Sequence, residues 1–509
     1  MKLDITVNAG TLAGQSFDLQ TGFMTIGRSE ACTVRFDPLV ERIASKQHAF
    51  IEARSDGFYI TDNQSTNGTF VNGSRITTAR LNNGDVIQFG SNGVTANVRI
   101  AESEVPAAMT REAQIEQFDD TVSRQPKSMQ NSIASFGLGG AAPPKIEASK
   151  TGKYVGIGIS LFLIVFLGSI VIGLMFLSVG PVAAVIAAVI AFLPAMVYIL
   201  PIIWLDRYDP EPVWLLGMAF LWGALVAVVV SFIINTLVGA VVSMAAGPEL
   251  GEIAGAVFSA PIVEEGSKGI GVVLLLIFFR RYFDDILDGI VFAGVIALGF
   301  ATVENVLYYG RAVGAGDAGS VAVLVFLRGV LSPFAHVTFT SMTGIGCGIS
   351  RESHNKIVKI LMPILGYFGA VSLHALWNGM ASVGGGGAFL IGYIVAEVPF
   401  FFIFVCFALY IMWRQHKIVK EMLAIDIARG LISPELAEKA TSAFRSTGWI
   451  LSGIFTGKAL ARSRYVRAVG KLGLSYWHIQ RATRAHGETG SFQQNPILRE
   501  EVLLWRDKV

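Results

Sequence analysis

The stretch Ala260-Pro261-Ile262-Val263-Glu264-Glu265-Gly266-Ser267-Lys268 places two adjacent carboxylates and an ammonium group inside a run apolar enough to cross a bilayer. A charged residue at the centre of a membrane helix costs about 2.5–3.5 kcal/mol even on lenient insertion scales. These side chains must therefore face a protein interior or a water-filled cavity. Glu264 and Lys268 are four residues apart and are expected to pair on one helix face, with Glu265 turned about 100° away.

The composition indicates that much of the chain lies in lipid. Hydrophobic residues make up 52% of the 509 residues and charged residues only 15%, against roughly 25% in ordinary soluble domains. The net charge of +2 does not indicate a nucleic-acid partner. Cys32, Cys347 and Cys406 are too scattered for a disulfide framework or a zinc cluster and are expected to be reduced. The N-terminus lacks a signal peptide pattern, so the first domain is expected to stay in the cytoplasm.

Residues 1–100 are predicted to form an all-β sandwich. Short alternating runs such as Lys2–Val7, Phe58–Thr61 and Val86–Phe89 are separated by turn signals such as Asn67-Gly68. This pattern of many short strands with tight turns is typical of a small β domain.

Four motifs follow one another in this region: Ile26-Gly27-Arg28-Ser29, Ser45-Lys46-Gln47-His48, Ser65-Thr66-Asn67-Gly68-Thr69 and Val71-Asn72-Gly73. In this order they resemble the forkhead-associated (FHA) domain over essentially its whole length. The resemblance implies that Arg28 and Ser45 bind the phosphate of a phosphothreonine, since Arg offers a charge-assisted fork and Ser a neutral donor. Lys46 is then a helper, Asn67 holds the peptide backbone, and His48 props the loop. The alternative is a degenerate sandwich without phosphopeptide activity.

Residues 101–152 are predicted to be a flexible linker because Ser, Gln, Pro, Gly and Ala dominate. The run Gly137–Pro144 argues against a continuous helix, and a short helix is expected only near Thr110–Phe118. Such a tether lets the sandwich reach its partners.

Residues 153–415 are predicted to form an all-α polytopic membrane domain with about eight transmembrane helices. The apolar segments lie at about 154–178, 182–204, 213–242, 252–279, 286–309, 321–349, 357–381 and 387–412. With the N-terminus inside, basic residues such as Arg207, Arg280 and Lys417 collect in one set of connections, and the opposite set has little more than Arg311. This positive-inside pattern predicts that both termini are cytoplasmic.

Four further polar residues interrupt these segments: Glu304, His336, His374 and Asn378. From the 1.5 Å rise per residue of a helix, helices four to seven are expected to converge their acids and imidazoles on one cavity. Such a group suits peptide hydrolysis inside a membrane, because a carboxylate takes a proton from water while imidazoles or an amide stabilise the oxyanion.

The combined motifs Trp204-Leu-Asp-Arg-Tyr-Asp-Pro-Glu-Pro212, Glu264-Glu265-x-x-Lys268, Phe300-x-x-x-Glu304-Asn305, His336 and His374-x-x-x-Asn378 resemble the PrsW intramembrane proteases over about residues 150–415. That family is similar, distantly, to the CAAX-prenyl endopeptidase and bacteriocin-immunity (ABI) group. The resemblance implies that Glu264 is the activating base and that Glu265 supports it. The rest of the implied site consists of Glu304, His336, His374 and Asn378. Glu304 stands where the wider group has His, which leaves its division of labour with His336 open.

The expected function is therefore cleavage of a single-span membrane protein, such as the membrane-held anti-sigma factors that the resemblance implies, with the FHA module binding a threonine-phosphorylated protein for recruitment or regulation. Two other classes stay open: a non-catalytic phosphoprotein-docking scaffold and a proton-coupled transporter. Zinc is left open as a cofactor, with Glu264, His336 and His374 as its ligands. A metal-independent glutamate mechanism is preferred because the sequence has no His-Glu-x-x-His helix.

Several polar features have simpler interpretations. The turn Leu205–Pro212 is expected to be a solvated connection, and Arg328 to snorkel toward the interface. Asp285 and Asp288 suit the dipole of a helix start. The final region, 416–509, is predicted to be a helical cytoplasmic tail whose basic stretch is a solvated helix face, with contact to anionic lipid as the weaker alternative.

Overall fold

The computed structural model describes residues 1–29, 32–54, 56–101, 150–353, 355–383, 385–428, 430–484 and 491–509. The predicted linker, with its short helix, lies outside these residues except at its two ends. The described residues form two compact units. One contains the N-terminal sandwich and the chain from Arg414 onward, and the other contains the helical region up to Trp413.

The predicted all-β sandwich is confirmed. Its described strands are β1 Lys2–Val7, β2 Ser16–Leu19, β3 Phe23–Gly27, β4 Val34–Arg35, β5 Ala49–Arg54, β6 Gly57–Asp62, β7 Thr69–Val71, β8 Ser74–Ile76, β9 Thr78–Leu81, β10 Val86–Phe89 and β11 Thr95–Ala101. One sheet has the order β2-β1-β11-β10-β7-β8 and the other β4-β3-β5-β6-β9. Neighbouring strands pair antiparallel except β3 and β4. Alternate residues such as Leu3, Ile5 and Val7 are buried in the core between the sheets.

The helical unit is built from eight main helices among the described residues. They are α1 Lys150–Val179, α2 Pro181–Leu205, α3 Val213–Ala246, α4 Ala260–Phe278, α5 Ile286–Gly314, α6 Ala335–Glu352, α7 Lys356–Val383 and α8 Val398–Met422. Shorter pieces precede three of them: Pro248–Ile253 and the π-helical turn Ala254–Ser259 before α4, Ala318–Leu324 and the π-helical turn Val325–Leu331 before α6, Gly385–Gly392 and the π-helical turn Tyr393–Glu397 before α8. A 3₁₀ turn at Arg280–Tyr282 follows α4, and a π-helical turn at Trp222–Ala227 lies within α3.

Seven of the described helices are long and apolar enough to cross a membrane, against the eight that the sequence predicts. Helix α4 is not among the seven. It has 19 residues, but Glu264, Glu265 and Lys268 give it three charged side chains. The membrane character of the region is confirmed, whereas the count of eight stays a prediction.

Helix α5 lies at the centre of this unit. In its most apolar stretch 94% of the residues are buried, against 6–28% in the other six candidate spans. Glycines allow its neighbour to approach closely: a Cβ added to Gly289 of α5 would lie 2.1 Å from the carbonyl oxygen of Gly344 in α6. A Cβ at Gly346 would lie 2.2 Å from the carbonyl oxygen of Met362 in α7. Small residues at these crossings hold α6 tightly between α5 and α7.

The turn between α2 and α3 is buried, which contradicts its interpretation as a solvated connection. Asp206 is 3% exposed and Tyr208 is fully buried. The backbone N–H of Glu211 donates to Asp206 Oδ2 at 2.9 Å. Because Asp206, Glu211 and Asp288 place their carboxylates within 4.8 Å of one another, the turn packs against the start of α5 instead of lying in water.

The two acids at the start of α5 lie at a helix N-terminus, as expected, and they also cap the helix. Asp285 accepts from the backbone N–H of Leu287 and Asp288, and the Asp288 side chain accepts from the N–H of Asp285. This reciprocal pair satisfies backbone donors that have no partner within the helix.

The chain after α8 forms Ala424–Ala428, α9 Pro434–Thr441, α10 Ala443–Ser452, α11 Ala459–Arg484 and α12 Ser491–Arg506. Ser433 caps α9, accepting from the N–H of Leu436 at 3.3 Å. Helix α11 packs on the sandwich: the rings of Phe23 and Tyr476 meet edge to face with centroids 5.7 Å apart. Gln480 donates to the hydroxyls of two sandwich residues, Thr25 and Thr33. The predicted tail, 416–509, is therefore grouped with the sandwich.

Candidate active site

The structure brings together five of the six residues predicted for the membrane site: Glu264 and Glu265 from α4, Glu304 from α5, His336 from α6 and His374 from α7. All five lie in the helical unit. Four helices thus supply one cluster, as the sequence predicts.

Glu265 is the most heavily partnered acid. It is fully buried, and its Oε1 accepts from Lys268 Nζ at 2.5 Å and from His374 Nδ1 at 3.0 Å. Its Oε2 accepts from the hydroxyl of Thr340 at 2.8 Å. Lys268 therefore pairs with Glu265 at a spacing of three, and the expected pair with Glu264 is wrong. Both spacings share a helix face, but donors from α6 and α7 already hold the Glu265 carboxylate in place as an acceptor.

Glu264 is buried, and its carboxylate can accept more hydrogen bonds than it does. Its Oε1 lies 3.4 Å from Asn235 Nδ2. Its Oε2 has no hydrogen-bond partner among the described residues. The imidazole nitrogen His374 Nε2 lies 3.8 Å from Oε2. A buried, unmatched carboxylate oxygen is uncommon and points to a function or a bound group.

The hydrogen-bond network assigns the tautomers of both histidines. His374 donates from Nδ1 to Glu265, so its Nε2 lone pair is available on the Glu264 side. His336 donates from Nε2 to Glu304 Oε2 at 3.1 Å, so its Nδ1 carries the lone pair and lies 3.4 Å from Lys268 Nζ. The two rings meet edge to face with centroids 5.0 Å apart. Each ring is thus oriented by its own carboxylate.

Arg328 completes this network, and the sequence interpretation missed it. Its Nη2 forms an ion pair with Glu304, and its Nε donates to Asn305 Oδ1 at 2.6 Å. The guanidinium carbon lies 4.0 Å from the centre of the Tyr308 ring. The side chain therefore turns inward from the π-helical turn Val325–Leu331, and the expected snorkelling is wrong. An Arg within an apolar run was the available signal, because such residues usually face a protein interior.

Asn378 makes a different contact from the one that its spacing suggests. It lies four residues after His374, but its Nδ2 donates to the backbone carbonyl of Ala256 at 2.7 Å. Ala256 belongs to the π-helical turn Ala254–Ser259. This bond ties α7 to the segment that leads into α4, which is a packing role.

The FHA-like site lies on loops of the sandwich. Arg28, at the end of β3, is half-buried, and its Nε donates to the carbonyl of Ala44. The hydroxyl of Ser45 accepts from the backbone N–H of Thr66 at 3.0 Å. Asn67 is exposed and donates to the carbonyl of Ile43 at 2.7 Å. Lys46 is also exposed. The predicted residues therefore share one loop region that is accessible from water.

His48 supports these loops from below. Its Nδ1 accepts from the backbone N–H of Ser45 at 2.9 Å, so its Nε2 donates to the carbonyl of Gly68 at 3.1 Å. The ring is fully buried, and burial lowers the pKa of His48. A neutral imidazole with one donor and one acceptor is the form that satisfies both bonds.

Comparisons with known proteins identify the family of the region that contains this cluster. A family profile described as PrsW family intramembrane metalloprotease matches residues 211–413, which include all six predicted residues. Protease PrsW of Clostridioides difficile is 33% identical over 168 residues, covering 31% of this chain and 67% of that protein. The chain belongs to the PrsW family. Protease PrsW of Oceanobacillus iheyensis is 28% identical over 188 residues, covering 35% of this chain and 76% of the relative.

The N-terminal part matches a different group. An FHA domain profile matches residues 24–90. A solved FHA domain, studied for phosphothreonine-dependent interactions, is 27% identical, with coverage of 20% of this chain and all of that chain and a TM-score of 0.18. The Mycobacterium tuberculosis ABC transporter ATP-binding/permease protein Rv1747 is 39% identical over 82 residues, covering 16% of this chain and 9% of that protein. The chain therefore joins an FHA domain to a PrsW protease region.

The donor set at the PrsW site fits a divalent cation. Glu264, His336 and His374 each offer one atom, and these atoms lie within 4.8 Å of one another. Two imidazoles and a carboxylate are a usual ligand set of catalytic zinc. Glu265 accepts the single N–H of His374 and Glu304 that of His336, which is the arrangement that commonly orients histidine ligands. The unmatched Glu264 Oε2 is a further acceptor without a protein donor among the residues that the structure describes.

Proposed function

We propose that this PrsW-family chain is an intramembrane endopeptidase that hydrolyses a peptide bond of a membrane-anchored protein at Glu264, His336 and His374. The observation that carries the proposal is the buried Glu264 Oε2, which has no hydrogen-bond partner among the described residues and lies 3.8 Å from His374 Nε2. An unsatisfied acceptor beside an imidazole lone pair is suited to take up a proton or a cation.

We assign a divalent cation, with zinc as the first candidate, to Glu264, His336 and His374. A cation held there supplies Lewis acidity toward the scissile carbonyl and the attacking water. His336 Nδ1 would hold the cation in place of its 3.4 Å contact with Lys268, and Lys268 would keep its shorter ion pair with Glu265. This assignment departs from the metal-independent mechanism that the sequence favoured, and the metalloprotease description of the family supports it.

In the proposed reaction Glu264 moves the proton. One of its carboxylate oxygens accepts a proton from water as the water oxygen bonds to the peptide carbon. The carboxyl group then delivers that proton to the amide nitrogen as the carbon–nitrogen bond breaks, which restores the carboxylate. Glu265 and Glu304 hold the two imidazoles in place throughout, and Lys268 and Arg328 neutralise those two carboxylates.

The test is cleavage of a candidate single-span substrate, first of all an anti-sigma factor, by the full chain in proteoliposomes. Glu264→Gln is expected to abolish cleavage while leaving folding intact, because it removes no protein hydrogen bond from Oε2. Glu249→Gln, at an exposed acid, is the matched control and should cleave normally. Proton-coupled solute flux without cleavage would support the transporter. The absence of both cleavage and flux would support the scaffold.

Metal dependence is tested in the same vesicles. Activity is expected to disappear with a tight chelator and to return with zinc, and metal analysis should find the cation in the wild-type protein but not in a His336→Ala, His374→Ala variant. Full activity after chelation, with no metal bound, would restore the glutamate mechanism in which Glu264 acts without a cation.

We propose that the FHA domain recruits a threonine-phosphorylated protein to the protease through Arg28 and Ser45, with Lys46 and Asn67 in support. The loop position of these residues, with Arg28 and Ser45 half-buried and Lys46 and Asn67 exposed, supports the proposal, since a phosphopeptide can reach them from water. Cleavage of a phosphorylated substrate, or of a substrate presented by a phosphorylated adaptor, should exceed cleavage of the unphosphorylated form. Equal cleavage rates for the two forms, in a chain that still binds the phosphopeptide, would show that the FHA domain binds phosphothreonine without recruiting a substrate to the protease.

A further inference from the structure

An exposed apolar corner joins α10 to α11. It consists of Leu451, Ile454, Phe455 and Leu460, which are 54%, 62%, 92% and 66% exposed. We call these four residues the apolar corner. Four large apolar side chains within ten positions of one turn, all open to solvent, are unusual on the surface of a soluble unit.

Backbone hydrogen bonds close the corner into a turn with its apolar side chains exposed. The N–H of Lys458 donates to the carbonyl of Gly453 at 2.8 Å, and the N–H of Ile454 donates to the carbonyl of Leu451 at 3.0 Å. Behind the turn, the rings of Trp449 and Tyr465 meet edge to face with centroids 6.1 Å apart. The protein core thus fixes one side of the corner and leaves the apolar side chains on the other.

The charge along this stretch of sequence is entirely positive. From Lys439 to Arg484 the chain contains nine Lys and Arg residues and no Asp or Glu. Lys458, Arg464 and Arg467 are exposed close to the corner. Apolar side chains flanked by basic ones are the pattern of segments that lie in a bilayer interface, where basic side chains meet lipid phosphates.

The corner follows the last candidate membrane span closely along the chain. Helix α8 belongs to the last candidate span and ends at Met422, and α10 begins at Ala443. A short tether of this kind raises the effective concentration of the corner at the membrane surface. Weak individual contacts are then sufficient for docking.

We propose that the apolar corner docks on the anionic phospholipid surface of the bilayer that holds the PrsW helices. Ile454 and Phe455 enter the boundary between headgroups and acyl chains, and Lys458 and Arg464 contact lipid phosphate. The proposal is independent of the peptidase assignment, because it concerns only the unit formed by the sandwich and the C-terminal helices.

The experiment uses the full chain reconstituted in vesicles, with an environment-sensitive fluorophore on Thr456→Cys, an exposed position within the turn. Cys406, the exposed cysteine, is changed to Ser, while Cys32 and Cys347 are buried. In phosphatidylcholine vesicles that contain about a third phosphatidylglycerol, the emission is expected to shift to the blue and to be quenched by headgroup-region spin-labelled lipid. The docked fraction should fall in pure phosphatidylcholine, with the docking equilibrium weakened roughly fivefold for each basic side chain that no longer meets an anionic headgroup.

Matched variants separate the corner from general surface effects. Ile454→Glu with Phe455→Glu should return the fluorophore to a solvent-like emission. Leu39→Glu with Val40→Glu, at another exposed apolar pair, should not. A solvent-like fluorophore in the anionic vesicles would overturn the proposal. So would shielding that is equal in both lipids, or shielding that rises with protein density, which would assign the corner to a second copy of the chain.

Discussion

The membrane site and the FHA site hold charge in opposite ways. At the membrane site Glu265 and Lys268 are fully buried and pair with each other. At the FHA site Arg28 is half-buried and Lys46 is exposed, so water can solvate whatever charge the ligand leaves unmatched. The difference shows that a buried charge in the membrane helices affects stability as well as reactivity, because removing one partner leaves the other buried and unpaired.

The largest effect is expected from breaking the buried pair. Glu265→Gln leaves the Lys268 ammonium without a counter-charge, and a broken buried ion pair destabilises a protein by about 3–5 kcal/mol. The unfolding temperature of the purified protein in detergent, followed by tryptophan fluorescence, should fall strongly.

A double variant sharpens this prediction. Glu265→Leu with Lys268→Met removes both charges and should recover most of the lost stability without recovering cleavage, since the His374 orientation is still lost. If the single variant unfolds at the wild-type temperature, the pair does not affect stability as described above.

The second effect concerns Arg328. Arg328→Gln releases Glu304, which then holds His336 less firmly, and loss of such a support around a metal ligand usually lowers metal affinity or activity about 10–100-fold. Zinc affinity and kcat should be measured together, because a purely structural role would move neither in a protein that stays folded. Arg328→Lys should give a zinc affinity and a kcat between those of the wild type and Arg328→Gln, since Lys keeps the charge but not the forked geometry.

Arg311→Gln is the control for Arg328. Arg311 is exposed at the end of α5, and its loss should leave both quantities unchanged. Wild-type zinc affinity and kcat in Arg328→Gln would show that Glu304 orients His336 without help.

The third effect belongs to the FHA site. Arg28→Ala should weaken binding of a phosphothreonine peptide by at least about 10–100-fold, because a hydrogen bond to a charged group contributes roughly 1.5–3 kcal/mol. The unfolding temperature should fall only slightly, through loss of the bond to the Ala44 carbonyl, in contrast to Glu265→Gln. Titration of the full chain with phosphorylated and unphosphorylated peptide measures this, and Arg99→Ala, at an exposed strand residue, should bind normally.

The smallest effect is the pH response of His48. Burial lowers its pKa in the folded state, so the unfolded chain takes up the proton first as the pH falls below about 6.5. The contribution of neutral His48 to the free energy of unfolding is therefore fully present above that pH and should be lost as the pH falls further. The amide of Ser45, which donates to Nδ1, should exchange faster after correction for intrinsic rates, while amides in α5 should not respond. Uniform protection of Ser45 down to about pH 5 would contradict the assigned tautomer.

Much of the architecture was predictable from local sequence. Alternating short strands with Asn-Gly turns predicted the sandwich, and long apolar runs predicted the membrane helices. Glu264, Glu265, Glu304, His336 and His374 were predicted to meet because charged and imidazole side chains in such runs have few other places to go.

The errors share one physical cause. Lys268 was assigned to Glu264 by helix spacing, but donors from two other helices made Glu265 the better acceptor. Arg328 was expected at the interface, yet Glu304 of a neighbouring helix draws it inward. The turn around Asp206 was expected in water, although it packs against Asp288. In each case the partner lies far away in sequence or is determined by contacts with distant residues. Spacing along one helix carries no information about such contacts.

The sequence by itself determined the two regions and their families and indicated five acids and histidines that the structure brings together, because periodicity, turn residues and ordered motifs are local properties of the chain. Only the tertiary structure decided how those residues pair: which acid neutralises Lys268, which nitrogen of each imidazole bonds to a carboxylate, and which carboxylate oxygen stays unmatched. These outcomes depend on donors from several helices brought within a few ångströms, and close glycine crossings such as Gly289 with Gly344 make that approach possible.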